Sequence, residues 1–571
     1  MRRPQSQALR PPPAVAARVP KQAGVRVWQF AAAALLAFAA LWWAYSPALH
    51  GEFLFDDLHL PFLQPAAAYI PLWAWLHVRP LLMVTYWANL HAFGVDPFSY
   101  HAVNLLFHFT ASVLLLFAVR KIFLLAGVAE PARSSLAILS AAVFLLHPAQ
   151  TEAVSYVAQR GESMAAVFFF AAWCVFLYRG SSAVTWPVAA AVLALYGAAV
   201  ATKEHTVTLP AVLLLTDFFF NPGGIRRNWR LYLPIAVGGL LGAVFVVRYL
   251  SRDTGSIGFS LKEFTWRQYL FTEWRVFFVY LALFLFPVSQ TIDYDFPVSR
   301  SPFDHGAIFA LLAILALGAA AVLFRKRFPL AAYGFLLFII LLLPTSSVIP
   351  IKDLVAERRL YLPMVGLLLV LAEALRRIPR QLPWVAAILI VILGTATFAR
   401  NRVWATSLAM WEDAARKAPA KQRVQFGLAV ADFRAGRCKE SVEHYARAAQ
   451  IESPDYTILM DWALAYECDH QTDQAVRKMR ESIRLKPSAQ AWASMAVLEA
   501  RQGKVPEALD ALQKAQALDP GYPITYLYRG SIHQALNQIP QAIENFKMVL
   551  SLDPGNQIAL KALTQLQGQA R

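Results

Sequence analysis

The sequence is poor in charged residues and in cysteine. Asp, Glu, Lys and Arg make up 16% of the 571 residues, whereas 58% are hydrophobic, with 38 Phe and 16 Trp among them. A soluble globular protein has about 25% charged residues, so the composition argues against that class. Three cysteines in a chain of this length exclude a disulfide-rich scaffold. The composition predicts a polytopic membrane protein.

Two sequence signals are also missing. None of the eight asparagines begins an Asn-x-Ser/Thr sequence, the acceptor of N-glycosylation. For a membrane protein with a large exported region, this favours a bacterial inner membrane over an endoplasmic reticulum. The net charge of +17 is spread among loops without a nucleic-acid-binding motif. We therefore expect the lipid bilayer, through its anionic head groups, and no nucleic acid as a partner of these charges.

The chain changes character near Arg400, where the apolar runs stop and a charged, Ala-rich helical pattern begins. We predict a basic, disordered cytoplasmic tail over residues 1–26, a membrane region over 27–400 and an extracytoplasmic region over 401–571. The first apolar run is longer than the hydrophobic segment of a signal peptide. We expect it to remain as a membrane anchor.

Eleven apolar runs are candidates to span the bilayer, although some are short against the roughly 20 residues that a spanning helix needs. They lie near residues 27–48, 101–119, 134–147, 163–179, 183–200, 205–221, 231–250, 304–324, 329–349, 360–375 and 382–399. A twelfth candidate, residues 269–287, contains Glu273 and Arg275 and could either span the membrane or lie in its interface.

The positive charges decide between these topologies, because cytoplasmic loops carry an excess of Lys and Arg. If residues 269–287 do not cross, the basic clusters all fall on the side of the basic N-terminus; these clusters are 120–121, 226–230, 325–327 and 376–380. If they do cross, the last two clusters lie outside. We therefore predict eleven spans with a cytoplasmic N-terminus and everything after Arg400 on the far side.

The stretch EFLFDDLHLP, residues 52–61, places two adjacent carboxylates just after the first apolar run. A carboxylate at a membrane edge is costly unless it has a partner or a task. In the predicted topology, Asp56 and Asp57 are extracytoplasmic. They are candidates for catalysis, although an adjacent Asp pair is also common as a helix cap or a solvated turn.

Further ionisable residues fall in the predicted external loops: Arg79, His147, Glu152, Arg160, Lys203, Glu204, Asp293, Asp295, Glu357, Arg358 and Arg359. Arginines can hold a phosphate in bidentate fashion, and an aspartate can take a proton from an attacking hydroxyl. This combination suits a reaction on a lipid-anchored anionic substrate. The competing interpretation of the arginines is snorkelling or helix pairing. His101 and His108 share one helix face and favour interhelical hydrogen bonds over a metal site.

The region after Arg400 repeats. Pro419, Pro454, Pro487, Pro520 and Pro554 are separated by 35, 33, 33 and 34 residues, and the last four follow helical segments. A period near 34 with Pro after the second helix is typical of tetratricopeptide repeats. The pattern predicts a stacked helical array closed by a capping helix at 557–567. Such an array offers a concave surface for a peptide or protein partner.

Two of the three cysteines fall in neighbouring repeats. We place Cys438 near the start of the second helix of the first repeat and Cys468 near the end of the first helix of the next. Both positions lie close to one edge of the array. If the region is exported, an oxidising compartment favours a disulfide between them; two unrelated core cysteines are the alternative.

Several spaced motifs together resemble the transmembrane and tetratricopeptide-repeat O-mannosyltransferases and their bacterial relatives. The motifs are FDD, RPLLMVTYWAN, FSYHAVNLLFH, HPAQTEAVSYVAQR, TKEHTVTLPAVLLLTD, AERRLYLP and NRVW, followed by the repeats. The resemblance runs from about Ala44 to the C-terminus. It implies an all-α, GT-C-type glycosyltransferase of about eleven transmembrane helices followed by a tetratricopeptide α-solenoid.

The resemblance also implies a donor, a polyprenyl-phosphate sugar used on the external side, and a catalytic base that corresponds to Asp56, with Asp57 beside it. The acceptor would be a hydroxyl of an exported protein or glycan, for which the repeats are candidate binders, and the outcome would be inversion. We expect Arg160, Arg358 and Lys203 to hold the donor phosphate. Supporting roles fall to Arg79, His147, Glu152, Glu204, Glu357 and Tyr361. No cofactor is required, although the two carboxylates could instead bind a divalent metal.

Two other classes stay open at this point. The chain could be a membrane scaffold that only presents its repeats, or a flippase or ligase that handles a diphosphate-linked oligosaccharide. A scaffold has no reason to collect acidic and basic groups on one side of the membrane. A ligase would be expected to need more arginine for a diphosphate.

Overall fold

The computed structural model describes residues 27–64, 67–76, 78–250 and 257–569, and the predicted tail over 1–26 lies outside them. The described part of the chain is all-α, as predicted. Its only strand-like pairing is an isolated antiparallel bridge between Ile257 and Ile351.

The first fifteen helices lie within residues 27–403, the predicted membrane region and the three residues that follow it. They are α1 (Val27–Tyr45), α2 (Pro80–Phe93), α3 (Pro97–Leu125), α4 (Ala132–Leu146), α5 (Thr151–Ser155), α6 (Arg160–Leu177), α7 (Trp186–Val200), α8 (Leu209–Phe220), α9 (Gly224–Arg227), α10 (Trp229–Leu250), α11 (Trp266–Leu285), α12 (Ala307–Leu323), α13 (Pro329–Leu342), α14 (Met364–Leu375) and α15 (Leu382–Val403).

Five helical segments are long and apolar enough to cross a membrane: Ala31–Ala48, Pro97–Leu125, Val157–Leu177, Asp304–Leu323 and Leu382–Val403. A bent pair, Ala132–Leu146 with Pro148–Ser155, raises the number to six if it counts as one span. These counts refer to the described ranges. Each of the eleven predicted runs contains a helix, but α7, α13 and α14 are shorter apolar helices.

A bend separates α4 from the short helices that follow it. The two segments meet at 53°, and His147 between them has extended backbone angles. Pro148 explains the break, because proline lacks an N–H and disfavours a helical conformation in the residue before it. The bend turns residues 147–160 across the end of the helix bundle, where the candidate site lies.

Ten further helices follow. They are α16 (Ser407–Lys417), α17 (Gln422–Arg434), α18 (Cys438–Ile451), α19 (Tyr456–Cys468), α20 (Thr472–Leu485), α21 (Ala489–Arg501), α22 (Val505–Leu518), α23 (Pro523–Ala535), α24 (Ile539–Leu552) and α25 (Gln557–Gln569). From α17 onward they pack as four antiparallel pairs.

The structure confirms the repeat pattern. The last four periodic prolines each follow the second helix of a pair within three residues. Gly427 allows a close helix contact in this region, because a Cβ there would lie 2.5 Å from the ring of Trp411. The predicted capping helix is α25, whose Ala559 and Leu566 pack on Phe546.

The disulfide predicted between neighbouring repeats is also confirmed. Cys438 opens α18 and Cys468 closes α19, with Cα atoms 5.5 Å apart, and the two sulfurs are bonded. This distance lies within the usual range for a disulfide. The bond joins the first repeat to the second.

Helix α15 continues past Arg400 without a break and carries the chain from the bundle to the repeats. Asn401 on this helix donates to the carbonyl of Ala44 at 3.0 Å. Its side-chain oxygen accepts a hydrogen bond from the Ser155 hydroxyl at 2.5 Å. The start of the repeat region is therefore bonded to the ends of α1 and α5.

Candidate functional site

The two aspartates lie on a short 3-10 turn, Phe55–His59, directly after the first helix and its exit turn. Phe55 begins the turn with a φ of 44°, a left-handed conformation that is unusual for a bulky residue. The loop containing this turn packs on residues 156–158, which follow α5, and on Trp404 and Trp411 from the region after α15. Parts of the chain that are far apart in sequence therefore meet at the acidic pair.

Asp57 is the buried member of the pair. Its carboxylate accepts hydrogen bonds from the backbone N–H of Leu54 at 2.9 Å and of Ala158 at 2.5 Å. Burial raises the pKa of Asp57 to about 8, although these backbone donors oppose the shift. Both oxygens are engaged, so this carboxylate connects two loops.

Asp56 is the exposed member. Its backbone N–H donates to the hydroxyl of Tyr156 at 2.7 Å. Within the described ranges, its carboxylate has no hydrogen bond or ion pair. Of the two predicted catalytic carboxylates, Asp56 is therefore the one that is open to a substrate.

Arg358 is linked to this turn through Tyr156, because its charge acts on the hydroxyl to which Asp56 donates. Its guanidinium pairs with the buried carboxylate of Glu152, and its backbone N–H donates to the same carboxylate at 2.9 Å. A second, longer pair joins it to Asp353 at 3.4 Å. The side chain remains 20% exposed. Glu152 thus orients Arg358, as expected for an acidic residue that supports a phosphate-binding cation.

Arg160 occupies a different environment. It is fully buried, and its guanidinium donates to the side chains of Asn104 at 2.7 Å and Asn89 at 3.0 Å and to the carbonyl of Tyr100 at 3.1 Å. Its charge also lies 4.5 Å from the centre of the Tyr86 ring. Contact with a phosphate would require these side chains to move, so a phosphate-binding role for Arg160 stays a prediction.

Lys203 forms part of an ionic group at the start of α6. Its Nζ lies 2.9 Å from Glu162 and donates to Gln159 at 2.9 Å. His205 lies 3.5 Å from the other oxygen of Glu162. Burial lowers the pKa of Lys203, and the charge of Glu162 opposes this effect. Glu162 did not stand out in the sequence because it directly precedes the predicted apolar run at 163–179.

Glu204 and Glu357, the other two glutamates predicted to support the site, bond to different groups. Glu204 pairs in bidentate geometry with Arg79, through contacts of 2.9 and 2.8 Å, at the solvent-exposed edge of the site. Glu357 is buried and accepts from the backbone N–H of Thr291 at 2.8 Å and from the hydroxyl of Tyr294 at 3.0 Å. Burial raises the pKa of Glu357 to about 7, while the charge of Arg400 opposes the shift. Glu357 therefore fixes a neighbouring loop.

His147 and Tyr361 lie inside the bundle. Nδ1 of His147 accepts from the N–H of Ala149 at 3.2 Å, and Nε2 contacts the carbonyl of Phe284 at 3.0 Å. The hydroxyl of Tyr361 is 2.7 Å from Nδ1 of His108, whose other nitrogen is 3.1 Å from the carbonyl of Leu145. The prediction of an interhelical hydrogen bond for His108 is confirmed. These contacts support packing beneath the site.

His101, by contrast, is buried, and neither ring nitrogen has a hydrogen-bond partner among the described residues. Groups of three or more His, Cys, Asp or Glu residues that could hold a metal ion do not occur in the described ranges. Because both oxygens of Asp57 are bonded to backbone N–H groups, a divalent ion at the acidic pair would find a single open carboxylate, that of Asp56. That no cofactor is required, with a divalent metal as the alternative, stays a prediction.

Asp293 has a role that the sequence did not reveal. Its buried carboxylate receives two hydrogen bonds from Arg423 of α17, at 2.5 and 2.6 Å, and also pairs with Lys421. Arg423 reaches Asp353 as well, at 2.8 Å. Although burial acts to raise it, the charges of Arg423 and Arg358 hold the pKa of Asp353 at about 2. These pairs clamp the first repeat onto the loops of the membrane region.

Asp295, in contrast, is exposed and has no hydrogen bond or ion pair within the described part of the chain. Arg359, another ionisable residue of the predicted external loops, is buried and donates to the carbonyls of Asp353 and Leu354. Neither residue contacts the acidic pair.

A family model described as tetratricopeptide repeat matches residues 393–456 and 460–523. A solved structure of a thermophilic tetratricopeptide-repeat protein from Thermus thermophilus is 17% identical, with a TM-score of 0.27, and the match covers 31% of this chain and 95% of that one.

Protein O-mannosyl-transferases are similar to most of the chain. TMTC3 of Homo sapiens is 21% identical over 551 residues, covering 84% of this chain and 58% of the relative. TMTC1 of Homo sapiens is 24% identical over 500 residues, covering 74% and 55%. Tmtc3 of Drosophila melanogaster is 23% identical over 559 residues, covering 81% and 59%.

The chain spans little more than half the length of these curated relatives. The resemblance inferred from the spaced motifs is confirmed: the chain is a distant homologue of the O-mannosyltransferases, and it carries tetratricopeptide repeats.

Proposed function

We propose that this protein is a membrane glycosyltransferase that moves a sugar from a polyprenyl-phosphate donor to a hydroxyl of an exported protein or glycan. The observation that carries the proposal is the open carboxylate of Asp56, on a turn held by Asp57 and Tyr156. A general base must be able to reach the proton that it removes. Asp56 satisfies this requirement, whereas Asp57 does not.

In the proposed reaction, the acceptor oxygen attacks the anomeric carbon while Asp56 takes the hydroxyl proton. The bond between that carbon and the phosphate oxygen breaks, and the phosphate leaves with the electron pair. Attack from the face opposite the leaving group inverts the anomeric centre. The lipid phosphate is already a good leaving group when its charge is held, so no acid is needed on its oxygen.

Arg358 and Lys203 are the cations that we assign to the donor phosphate. Both remain partly exposed, at 20% and 13% of the side chain, and each is oriented by a buried glutamate, Glu152 or Glu162. Arginine presents two parallel donors to a phosphate, which gives direction as well as charge. Arg79 and Glu204 lie at the outer edge of the same ionic group and support it.

The proposal includes the number of membrane spans and the side on which the repeats lie. We infer a GT-C-type bundle of eleven spans, with the N-terminus cytoplasmic and the repeats in the periplasm of a bacterial inner membrane. The bond between Cys438 and Cys468 supports an exported repeat region, because disulfides persist in oxidising compartments. The repeats would hold the acceptor protein near Asp56, because Trp411 of α16 packs on Phe55, the residue before Asp56.

The test uses purified protein and three donors: a polyprenyl-phosphate mannose, the same lipid with another hexose, and a polyprenyl-diphosphate oligosaccharide. Mannose comes first because the relatives are named O-mannosyl-transferases. Transfer from a monophosphate donor that is lost in Asp56→Asn supports the proposal. Transfer from the diphosphate donor alone favours a ligase. No transfer in vitro, together with unchanged exported glycoproteins in a deletion strain, favours a scaffold.

A further inference from the structure

Tyr156 lies between the acidic pair and the start of the repeat region. It follows α5 and is buried, with 1% of its surface exposed. Its hydroxyl oxygen accepts the backbone N–H of Asp56 at 2.7 Å, across a separation of 100 residues. Tyr156 lies inside the motif HPAQTEAVSYVAQR, but the sequence pattern gives it no role beyond packing.

The ring of Tyr156 is fixed from behind. It stacks on the indole of Trp404, with ring centres 5.7 Å apart and planes 25° from parallel. Trp404 is itself buried and follows α15 directly. A buried aromatic ring between two packed elements has little rotational freedom. The position of the hydroxyl is therefore set by the backbone of residues 151–160 and by the end of α15.

The same segment bonds to the rest of the site. Ala158, two residues later, donates to Asp57, and Glu152, four residues earlier, binds Arg358. The charges of both aspartates and of Arg358 act on the Tyr156 hydroxyl, and burial raises its pKa well above the ordinary value. The hydroxyl therefore stays neutral at physiological pH and lies among the groups that the proposed reaction uses.

Asp56 needs such a support. It sits in an exposed turn after Phe55, whose left-handed backbone costs energy and persists only where neighbouring contacts hold it. A base that is misplaced by about 1 Å can lose on the order of 100-fold in rate. Within the described residues, the backbone N–H of Asp56 itself is joined to a buried side chain by its bond to Tyr156.

We propose that Tyr156 is a positioning residue, which holds the backbone of Asp56 so that its carboxylate faces the acceptor hydroxyl. The inference rests on the proposed glycosyltransferase function. The ring of Tyr156 stacks on Trp404, which follows α15. The position of Asp56 therefore also depends on the end of α15, after which the repeats begin. Tyr156 makes no contact with the donor phosphate in this assignment, so it acts on turnover and not on donor binding.

The test is Tyr156→Phe, which removes the hydroxyl and keeps the stacked ring. The matched control is Tyr333→Phe, since Tyr333 is also fully buried and its hydroxyl bonds to Thr216 at 2.6 Å, away from the site. We expect Tyr156→Phe to lower kcat by about 10-fold to 100-fold while the KM for donor and acceptor changes less than about 2-fold. Tyr333→Phe should leave both quantities near the wild-type values.

A second readout does not depend on activity. Hydrogen–deuterium exchange of a peptide covering residues 54–58 should be faster in Tyr156→Phe and unchanged in Tyr333→Phe, because the amide of Asp56 loses its acceptor. Faster exchange together with the loss of kcat supports the inference. Wild-type kcat in Tyr156→Phe, an effect on KM alone, or an equal loss in both variants overturns it.

Asp56→Asn, measured in parallel, separates this inference from the function on which it rests. If Asp56→Asn abolishes transfer but Tyr156→Phe does not slow it, the positioning role is wrong and the proposed function stands. If Asp56→Asn transfers at the wild-type rate, both the proposed base and its support by Tyr156 are overturned.

Discussion

The carboxylate of Asp57 accepts a hydrogen bond from the backbone N–H of Ala158, and this bond joins two loops that are 101 residues apart in sequence. Its neighbour Asp56 is exposed, and within the described residues its carboxylate has no hydrogen bond or ion pair. Two adjacent residues of the same type thus have different tasks: one builds the turn and the other is presented by it. This division leads to separate predictions for the two positions.

Asp56→Asn should abolish sugar transfer while the protein inserts and folds normally. The amide keeps the size of the side chain but cannot take a proton, and the wild-type carboxylate is exposed without a partner in the described structure. Turnover of a polyprenyl-phosphate donor and the thermal unfolding midpoint are the two measurements. Full activity in this variant would remove Asp56 as the base.

Asp57→Asn should change the pH dependence of stability. Burial raises the folded pKa from 3.8 to about 8, so between these values the folded protein binds more protons at Asp57 than the unfolded chain does. The contribution of Asp57 to the free energy of unfolding therefore falls as pH rises from about 4 to about 8.

Since Asn does not titrate, the stability of wild type relative to Asp57→Asn should fall over this range, by up to about 1.4 kcal/mol per pH unit. Thermal or denaturant unfolding of both proteins at pH 5, 6, 7 and 8 measures the difference. A stability difference that is constant with pH would contradict the assignment of this shift to Asp57.

The predicted topology can be tested with a reporter that is active only outside the cytoplasm. Fused after Gln450 in α18, it should be active, because the repeats are expected to be exported. Fused after Arg327, in a basic loop between α12 and α13, it should be inactive. The opposite result at Arg327 would mean that α11 crosses the membrane as a further span.

Arg423→Gln should loosen the first repeat from the membrane region. Arg423 donates to Asp293 and Asp353, but Lys421 remains paired with Asp293 and the Arg423 side chain is 32% exposed. We therefore expect a modest loss of about 1 to 2 kcal/mol in docking stability. Limited proteolysis in the 404–422 segment should become several-fold faster.

Arg434→Gln is the matched control, because Arg434 lies at the exposed end of the same helix and has no hydrogen bond or ion pair within the described ranges. Equal cleavage rates for the two variants would show that the clamp does not hold the repeats.

Removal of the disulfide should destabilise the stack of the first two repeats. Cys438 and Cys468 close a loop with a separation of 30 residues, for which loop entropy gives about 3 to 4 kcal/mol. Cys438→Ser should therefore lower the unfolding temperature of the repeat region, and the wild-type protein under reducing conditions should match it. Free thiols at both positions in non-reducing peptide mapping would reject the bond and weaken the case for export.

Much of this arrangement could be predicted from the sequence. The spacing of Pro454, Pro487, Pro520 and Pro554 indicates the helix pairs because proline is disfavoured in a helix interior, and successive prolines are 33 or 34 residues apart. The closeness of Cys438 and Cys468 followed from that register. Asp56 stood out because a carboxylate among phenylalanines at a membrane edge has few reasons to be there.

The rest depended on how distant parts of the chain meet. Arg160 and Arg358 look alike in sequence, yet one is enclosed by amide and aromatic groups and the other keeps an exposed face. The pair between Asp293 and Arg423, 130 residues apart, exists only because the first repeat docks on one particular loop. Periodicity within a helix carries no information about such docking.

The clamp at Arg423 has a mechanical consequence. The hydrogen bonds and ion pairs described above between the repeats and the membrane region all come from residues 401–423. These bonds therefore attach the solenoid near its first repeat. The amplitude of its bending grows with distance from that support. A polypeptide bound near α23 would therefore move over a larger distance relative to Asp56 than one bound at α17. The binding position along the solenoid would set how many hydroxyls of that polypeptide can reach Asp56.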